Sequence, residues 1–388
     1  MKNILLATTA LVAFAGAAAA EGHTGISFTG SASLGFNNEA AGDNDGFYSD
    51  LDIVAGFAAE LDNGLTAAAS LNLDDLGGGT DNGTVYELSL TSATAGLFYG
   101  DTSFAAQNAW AGAGSMDQDG FSEADGEESI RGQVTFGDIS GQVSYVLANN
   151  AGTRNAVDDV NQLSLGVTAT VGTLNIAVAY QEASGEDANF YASTNGIDGL
   201  TGDLDASGAI DGDETGALLD EVDNNALGGS NGDFNDAEVF GISVGTTVGG
   251  ADVRLAYAET GAESSTGLSV SYPVGDITLN ASYSSESAGE DNWDLGATYA
   301  SGPVSFTANT DESDDWGMQG SYDAGNGLVI FAGLSDGGED TYVAGTYDLG
   351  SGASLLVSFA DDGDNDAGDE VGANDYQHGT TIEVSLDF

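Results

Sequence analysis

The chain has no cysteine, and past residue 20 it has no lysine and only three arginines, Arg131, Arg154 and Arg254. The first absence means that no disulfide holds the fold, so order must come from packing or from closed hydrogen bonding. The second leaves a polyanion, with 63 Asp and Glu residues and a formal net charge of −59. Phosphate backbones would be repelled by such a chain and find no basic patch on it, which excludes nucleic-acid binding. Cations, above all divalent ones, would be attracted. Histidine occurs only at His23 and His378, so thiolate and imidazole metal centres are excluded as well. Beyond the first twenty residues no continuous apolar run is long enough for a membrane helix.

Those twenty residues, MKNILLATTALVAFAGAAAA, carry one charge at Lys2, an apolar stretch from Ile4 to Phe14 and a small-residue end at Ala18, Ala19 and Ala20. This is the pattern of a secretory signal cut between Ala20 and Glu21. A permanent anchor would need a longer stretch and a basic flank after it. Residues 21–388 are then expected to form one domain in an exported protein.

From Thr24 onward one unit recurs: about ten residues alternating apolar and polar, a short Gly-rich turn, about ten more, then a longer acidic loop. Leu163, Leu165, Val167, Ala169 and Val171 alternate with small polar residues, Gly172-Thr173 turns the chain, and Leu174, Ile176, Val178 and Tyr180 resume the alternation. Comparable turns fall at Asp62-Asn63-Gly64, Val248-Gly249-Gly250, Pro273-Val274-Gly275 and Leu349-Gly350-Ser351-Gly352. The opposite ends carry the long segments 37–46, 102–129, 149–159, 184–236 and 361–376, rich in Asp, Glu, Gly and Asn. Tight turns at one end and elaborate loops at the other predict an all-β, antiparallel up-and-down transmembrane barrel.

Aromatic placement separates this reading from a soluble sandwich. Trp293 and Tyr299, and again Trp316 and Tyr322, share the apolar phase at opposite ends of one strand. Six strand residues span roughly 20 Å, close to the height of the lipid band between aromatic girdles. Because hydrocarbon offers no hydrogen-bond partners, the final strand must pair with the first. Residues 378–388 suit that seam, with Ile382, Val384, Leu386 and Phe388 on one face and Thr381, Glu383, Ser385 and Asp387 on the other. Counting by turns gives up to twenty strands, and an even number from sixteen to twenty is expected.

With these features the chain resembles the general porins of the alphaproteobacterial outer membrane, the Rhodobacter-type group. The resemblance covers the mature chain in pattern and rests on terminal Phe388, on the hairpin from Thr346 to Ser354, and on Tyr99-Gly100-Asp101 opening a long loop after the fifth strand. It implies a sixteen-stranded homotrimeric barrel among outer-membrane lipid and lipopolysaccharide, passing small hydrophilic solutes, with a third loop folded into the lumen. Residues 102–129 hold that loop's place and supply Asp117, Asp119, Glu123, Asp125, Glu127 and Glu128. The family sets a basic cluster on the facing wall, whereas this wall can offer only Arg131 and Arg254, both on the polar phase of their strands. The departure points to a cation-preferring pore rather than a transverse field.

The sharpest local motif lies in the longest loop. Asp203, Asp205, Ser207, the Ala209 carbonyl, Asp211 and Glu214 occupy the six ligand positions of a calcium loop, with Gly208 at the turn. A structural calcium site is expected there. The run Asp362, Asp364, Asp366 and Asp369 reads as a solvated loop. Enzyme readings fail on context: Gly241-Ile242-Ser243-Val244-Gly245 has nucleophile-elbow spacing but lies within an alternating strand, and Gly77-Gly78-Gly79-Thr80 lacks a phosphate-reaching lysine. The alternative from another class is a soluble, secreted, calcium-stabilised β-rich adhesin or surface-layer protein. It would repeat Gly-Gly-x-Gly-x-Asp units, which the chain does not.

Overall fold

The computed structural model describes residues 24–38, 46–73, 84–122, 129–147, 160–183, 237–313, 315–363 and 370–388. Alternation along the chain becomes a series of strands: β1 (Thr24–Asn37), β2 (Gly46–Glu60), β3 (Thr66–Leu73), β4 (Thr84–Thr91), β5 (Ala95–Gly100), β6 (Ser129–Phe136) and β7 (Ile139–Leu147). They continue as β8 (Val160–Val171), β9 (Leu174–Gln181), β10 (Val239–Val248), β11 (Ala251–Thr260), β12 (Glu263–Val274), β13 (Ile277–Glu286) and β14 (Asn292–Ser301). The remainder are β15 (Val304–Asp311), β16 (Trp316–Gly325), β17 (Leu328–Ser335), β18 (Asp340–Gly350), β19 (Ala353–Asp361), the two-residue β20 (Glu370–Val371) and β21 (Tyr376–Gln377), and β22 (Gly379–Asp387).

All but β20 and β21 join one twenty-stranded sheet of antiparallel neighbours. The sheet closes where β22 pairs with both β19 and β1, bringing Leu34 opposite Val384. Beyond the paired strands, Gly30 and Phe388 exchange backbone hydrogen bonds of 2.9 and 3.0 Å. Twenty strands stand at the top of the expected range, where the turns put them, and not at the sixteen implied by the resemblance.

The two faces of the ribbon meet different surroundings. Leu386 (47% exposed) and Phe388 (59%) lie on the outside with Ile26, Phe28, Val357 and Phe359, while Thr381, Glu383, Ser385 and Asp387 point inward. Such an apolar outer face is stable only against hydrocarbon, because water would meet it at a cost of roughly 25 cal/mol per Å². Tyr272, Tyr299, Tyr322 and Tyr347 sit on this face beside the short turns, and Tyr283 and Trp293 pair on it at the far end.

Connections at one end are tight. Between β16 and β17, Asn326 and Gly327 have φ of +55° and +86°, the mirror-image turn that matches strand twist and that Asn and Gly tolerate best. At the other end lie the long connections, among them residues 101–128 and 182–238.

Candidate pore constriction

The chain leaves β5 at Gly100 and turns inward instead of continuing above the barrel. Phe104 is 1% exposed, and a short helix α1 (Ala105–Ala109) follows with Ala105, Ala106 and Ala109 buried. Phe104 offers no side-chain cap to this helix. Its first N–H groups are satisfied by the wall instead: Ala105 N donates to Ser144 Oγ at 2.9 Å and Ala106 N to Ser164 Oγ at 2.8 Å.

The same logic repeats along the segment. Gln118 N donates to Ser265 Oγ (2.9 Å), Thr260 Oγ1 donates to the Gln118 carbonyl (3.0 Å), and Asn292 Nδ2 donates to the Ser115 carbonyl and Asp117 Oδ1. Ser122 N donates to Gln181 Oε1, and Ser122 Oγ accepts from Gln162 and Gln181. Inward serines and glutamines on β7 to β14 thus replace water as partners for a buried loop backbone.

Inward glycines make the room. A Cβ at Gly166 would lie 2.0 Å from the Ala105 carbonyl oxygen, one at Gly267 2.1 Å from that of Ala113, and one at Gly241 2.5 Å from the Trp110 ring. Trp110 packs on Phe121 at 5.5 Å between ring centroids, and its Nε1 donates to Asp119 Oδ2 at 2.9 Å. Burial raises the Asp119 carboxyl above the usual aspartate range, with the Trp110 N–H partly offsetting it.

Both arginines among the described residues are placed against this loop. Arg131, 8% exposed, donates from Nη2 to Thr102 Oγ1 (3.0 Å) and from Nη1 to Gln142 and Gln133, and its guanidinium lies 4.2 Å from the Phe98 ring centroid. Arg254 reaches the Ala111 carbonyl and Ser243 Oγ, both at 3.4 Å. The wall across the lumen instead carries Asp50 and Asp52 of β2 and Glu383 and Asp387 of β22, while Glu87 of β4 lies beside Arg131 and accepts from the Thr102 hydroxyl. Tyr48 Oη donates to Glu383 Oε2 at 2.7 Å, and Ser31 Oγ to Asp52 Oδ2 at 3.2 Å. No arginine or lysine stands among the described residues of that wall.

The structure places Asp117 and Asp119 on the inserted loop and Arg131 and Arg254 against it, Arg131 at its start and Arg254 beside Ala111. Glu123, Asp125, Glu127 and Glu128 lie outside the described residues, as does the whole motif Asp203, Asp205, Ser207, Ala209, Asp211 and Glu214. Sequence reasoning overlooked the receiving wall. Its signal is small residues at inward positions, Ser144, Ser164, Gly166, Gly241 and Gly267, in strands that need no small side chain for their own pairing.

A family model described as Gram-negative porin matches residues 7–217 and 192–368. The chain belongs to the Gram-negative porin family. Membership accounts for the closed barrel with an inserted loop and makes the lumen an outer-membrane channel. Among solved structures this porin is similar to a triple mutant of Rh. blastica porin, with 11% identity over 94% of this chain and 100% of that one and a TM-score of 0.43. It is also similar to a porin structure refined at 1.8 Å, with 13% identity over 94% of this chain and 100% of that one and a TM-score of 0.39. A search of curated proteins returned no match.

Proposed function

We propose that this porin is a passive, cation-preferring diffusion pore for small hydrophilic solutes, without a reaction centre. The observation that carries the reading is the placement of charge: the two arginines among the described residues are spent fastening the loop, while the wall across from it carries acids. Asp117 and Asp119 present further negative charge on the loop, and Glu123, Asp125, Glu127 and Glu128 continue it in sequence. Screening limits each charge to about 8 Å in physiological salt, so the filter acts where the loop narrows the lumen. Reversal potentials of single channels in a potassium chloride gradient test this. Cations should carry most of the current, and a current carried mainly by anions overturns it.

The trimeric assembly and the cut before Glu21 belong to the same proposal. Detergent-extracted protein should migrate as a heat-sensitive trimer whose N-terminal residue is Glu21. Calcium at Asp203, Asp205, Ser207, the Ala209 carbonyl, Asp211 and Glu214 would offset repulsion among outward acids. Chelation should then lower the melting temperature, and an unchanged melting curve removes the site.

A further inference from the structure

The loop between β19 and β22 reads in sequence as a solvated acidic run, yet its end is folded into the barrel. The hairpin of β20 and β21 pairs Glu370 with Gln377 and Val371 with Tyr376. Val371 is 0% and Tyr376 6% exposed. They pack with Tyr342, Ala344 and Ala360, and with Phe331 and Leu356 at the margin. All five belong to the inward phase of β17, β18 and β19, opposite in register to the exposed Ile330, Val343 and Phe359.

This apolar patch in the lumen has a covering built for it. The rings of Tyr342 and Tyr376 lie 5.0 Å apart, and Tyr342 Oη donates to Gln319 Oε1 at 2.9 Å. A Cβ at Gly333 of the wall would lie 2.5 Å from the Tyr342 ring, and one at Gly372 of the hairpin 2.3 Å from it, so the ring is clamped between two glycines. The base of the loop is tied as well: Asp362 N donates to His378 Nδ1 (3.0 Å), Gly363 N to Asp340 Oδ1 (3.0 Å), and Asn37 Nδ2 to the His378 carbonyl (2.8 Å).

Position gives the hairpin a role. The described part of the first loop, 101–122, is seated on β7 to β14, and the hairpin lies on β17 to β19, most of the way to the opposite side of a twenty-strand ring. The loop meets its wall from Ser144 and Ser265 near the long-loop ends down to Gly166 at mid-strand, and the hairpin meets its own at Tyr342 and Ala360 near those same ends. We infer that the β20–β21 hairpin is a second constriction element, which with the first loop sets the pore's cross-section from two sides.

The inference rests on the channel reading, and its test separates the two. Planar-bilayer conductance is compared between the wild-type porin and Val371→Ser with Tyr376→Ser, which removes both apolar anchors. Conductance should rise about 1.5-fold as the hairpin leaves the wall. The chain lacks cysteine, so Ala373→Cys, at the exposed tip of the hairpin, gives a second measurement in a barrel that keeps its anchors. Coupling that thiol to a bulky cationic methanethiosulfonate should cut the potassium current by about half. A wild-type protein without channels ends the channel reading. A conducting wild type whose current is unmoved by the tip label ends this inference alone, as does an intact, heat-modifiable double variant of unchanged conductance.

Discussion

Two halves of the same lumen wall are built from different residues. Beneath the inserted loop, β7 to β12 present Ser144, Ser164, Gly166, Gly241 and Gly267, side chains small enough for a backbone to rest on and hydroxyls placed to take its N–H groups. Across the lumen, β2 and β22 present Asp50, Asp52 and Glu383 on the inward face. The difference shows that the wall's composition follows what covers it. Where protein lies on the wall, serine, glutamine and arginine side chains hydrogen-bond the loop backbone; where solvent lies, carboxylates are retained and can act on what passes.

The comparison breaks most readily at the glycines. Gly267→Leu places carbon on the Ala113 carbonyl and should lift the loop, raising conductance and costing about 1–3 kcal/mol, read as a fall in the melting temperature in detergent. Unchanged melting and conductance would mean that the loop does not rest there. Next come the fastening arginines. Arg131→Met should destabilise by about 2 kcal/mol, because it strips charged hydrogen bonds from Thr102 and Gln142, and Arg254→Met by about 1 kcal/mol, since its bonds are longer. Equal effects in chemical denaturation would contradict their different seating.

The bare half is tested through selectivity. Asp52→Asn with Glu383→Gln should lower the cation-to-anion permeability ratio about twofold, while Ser164→Ala on the covered half leaves that ratio unmoved. The smallest effect concerns Asp119. Burial raises its carboxyl, so its negative charge appears only as pH rises through a window above the ordinary value of 3.8. Cation preference should therefore gain a step in that window, and Asp119→Asn should abolish the step. The stability sign is opposite: the neutral form suits the buried site, so its contribution is present at low pH and lost as pH rises through the raised pKa.

Much of the fold was legible because lipid enforces a period of two. Leu163 to Val171 and Leu174 to Tyr180 form β8 and β9 around Gly172-Thr173, and Ile382, Val384 and Leu386 face outward as their alternation requires. The place of the first inserted loop was legible too, since Gly100 ends β5 where the long segment begins. The arginines were read as a wall facing the loop because periodicity reports which side a residue takes, not which part of the circumference lies opposite. The β20–β21 hairpin escaped notice because nearby acids outweigh it in composition. Its trace in the sequence is the pair Val371 and Tyr376, the large apolar residues of an otherwise polar stretch.

The seam between β1 and β22 has a further consequence. Asn37 Nδ2 and Thr381 Oγ1 meet across 344 positions of chain, so the contact that removes the last free edge is also among the most distant in sequence. Until it forms, a nearly complete sheet exposes two unpaired margins able to recruit any other strand. Assembly of this molecule is consequently a race between self-closure and association with neighbours, decided in the interval after nineteen sequential pairings are laid down and before the ring is joined.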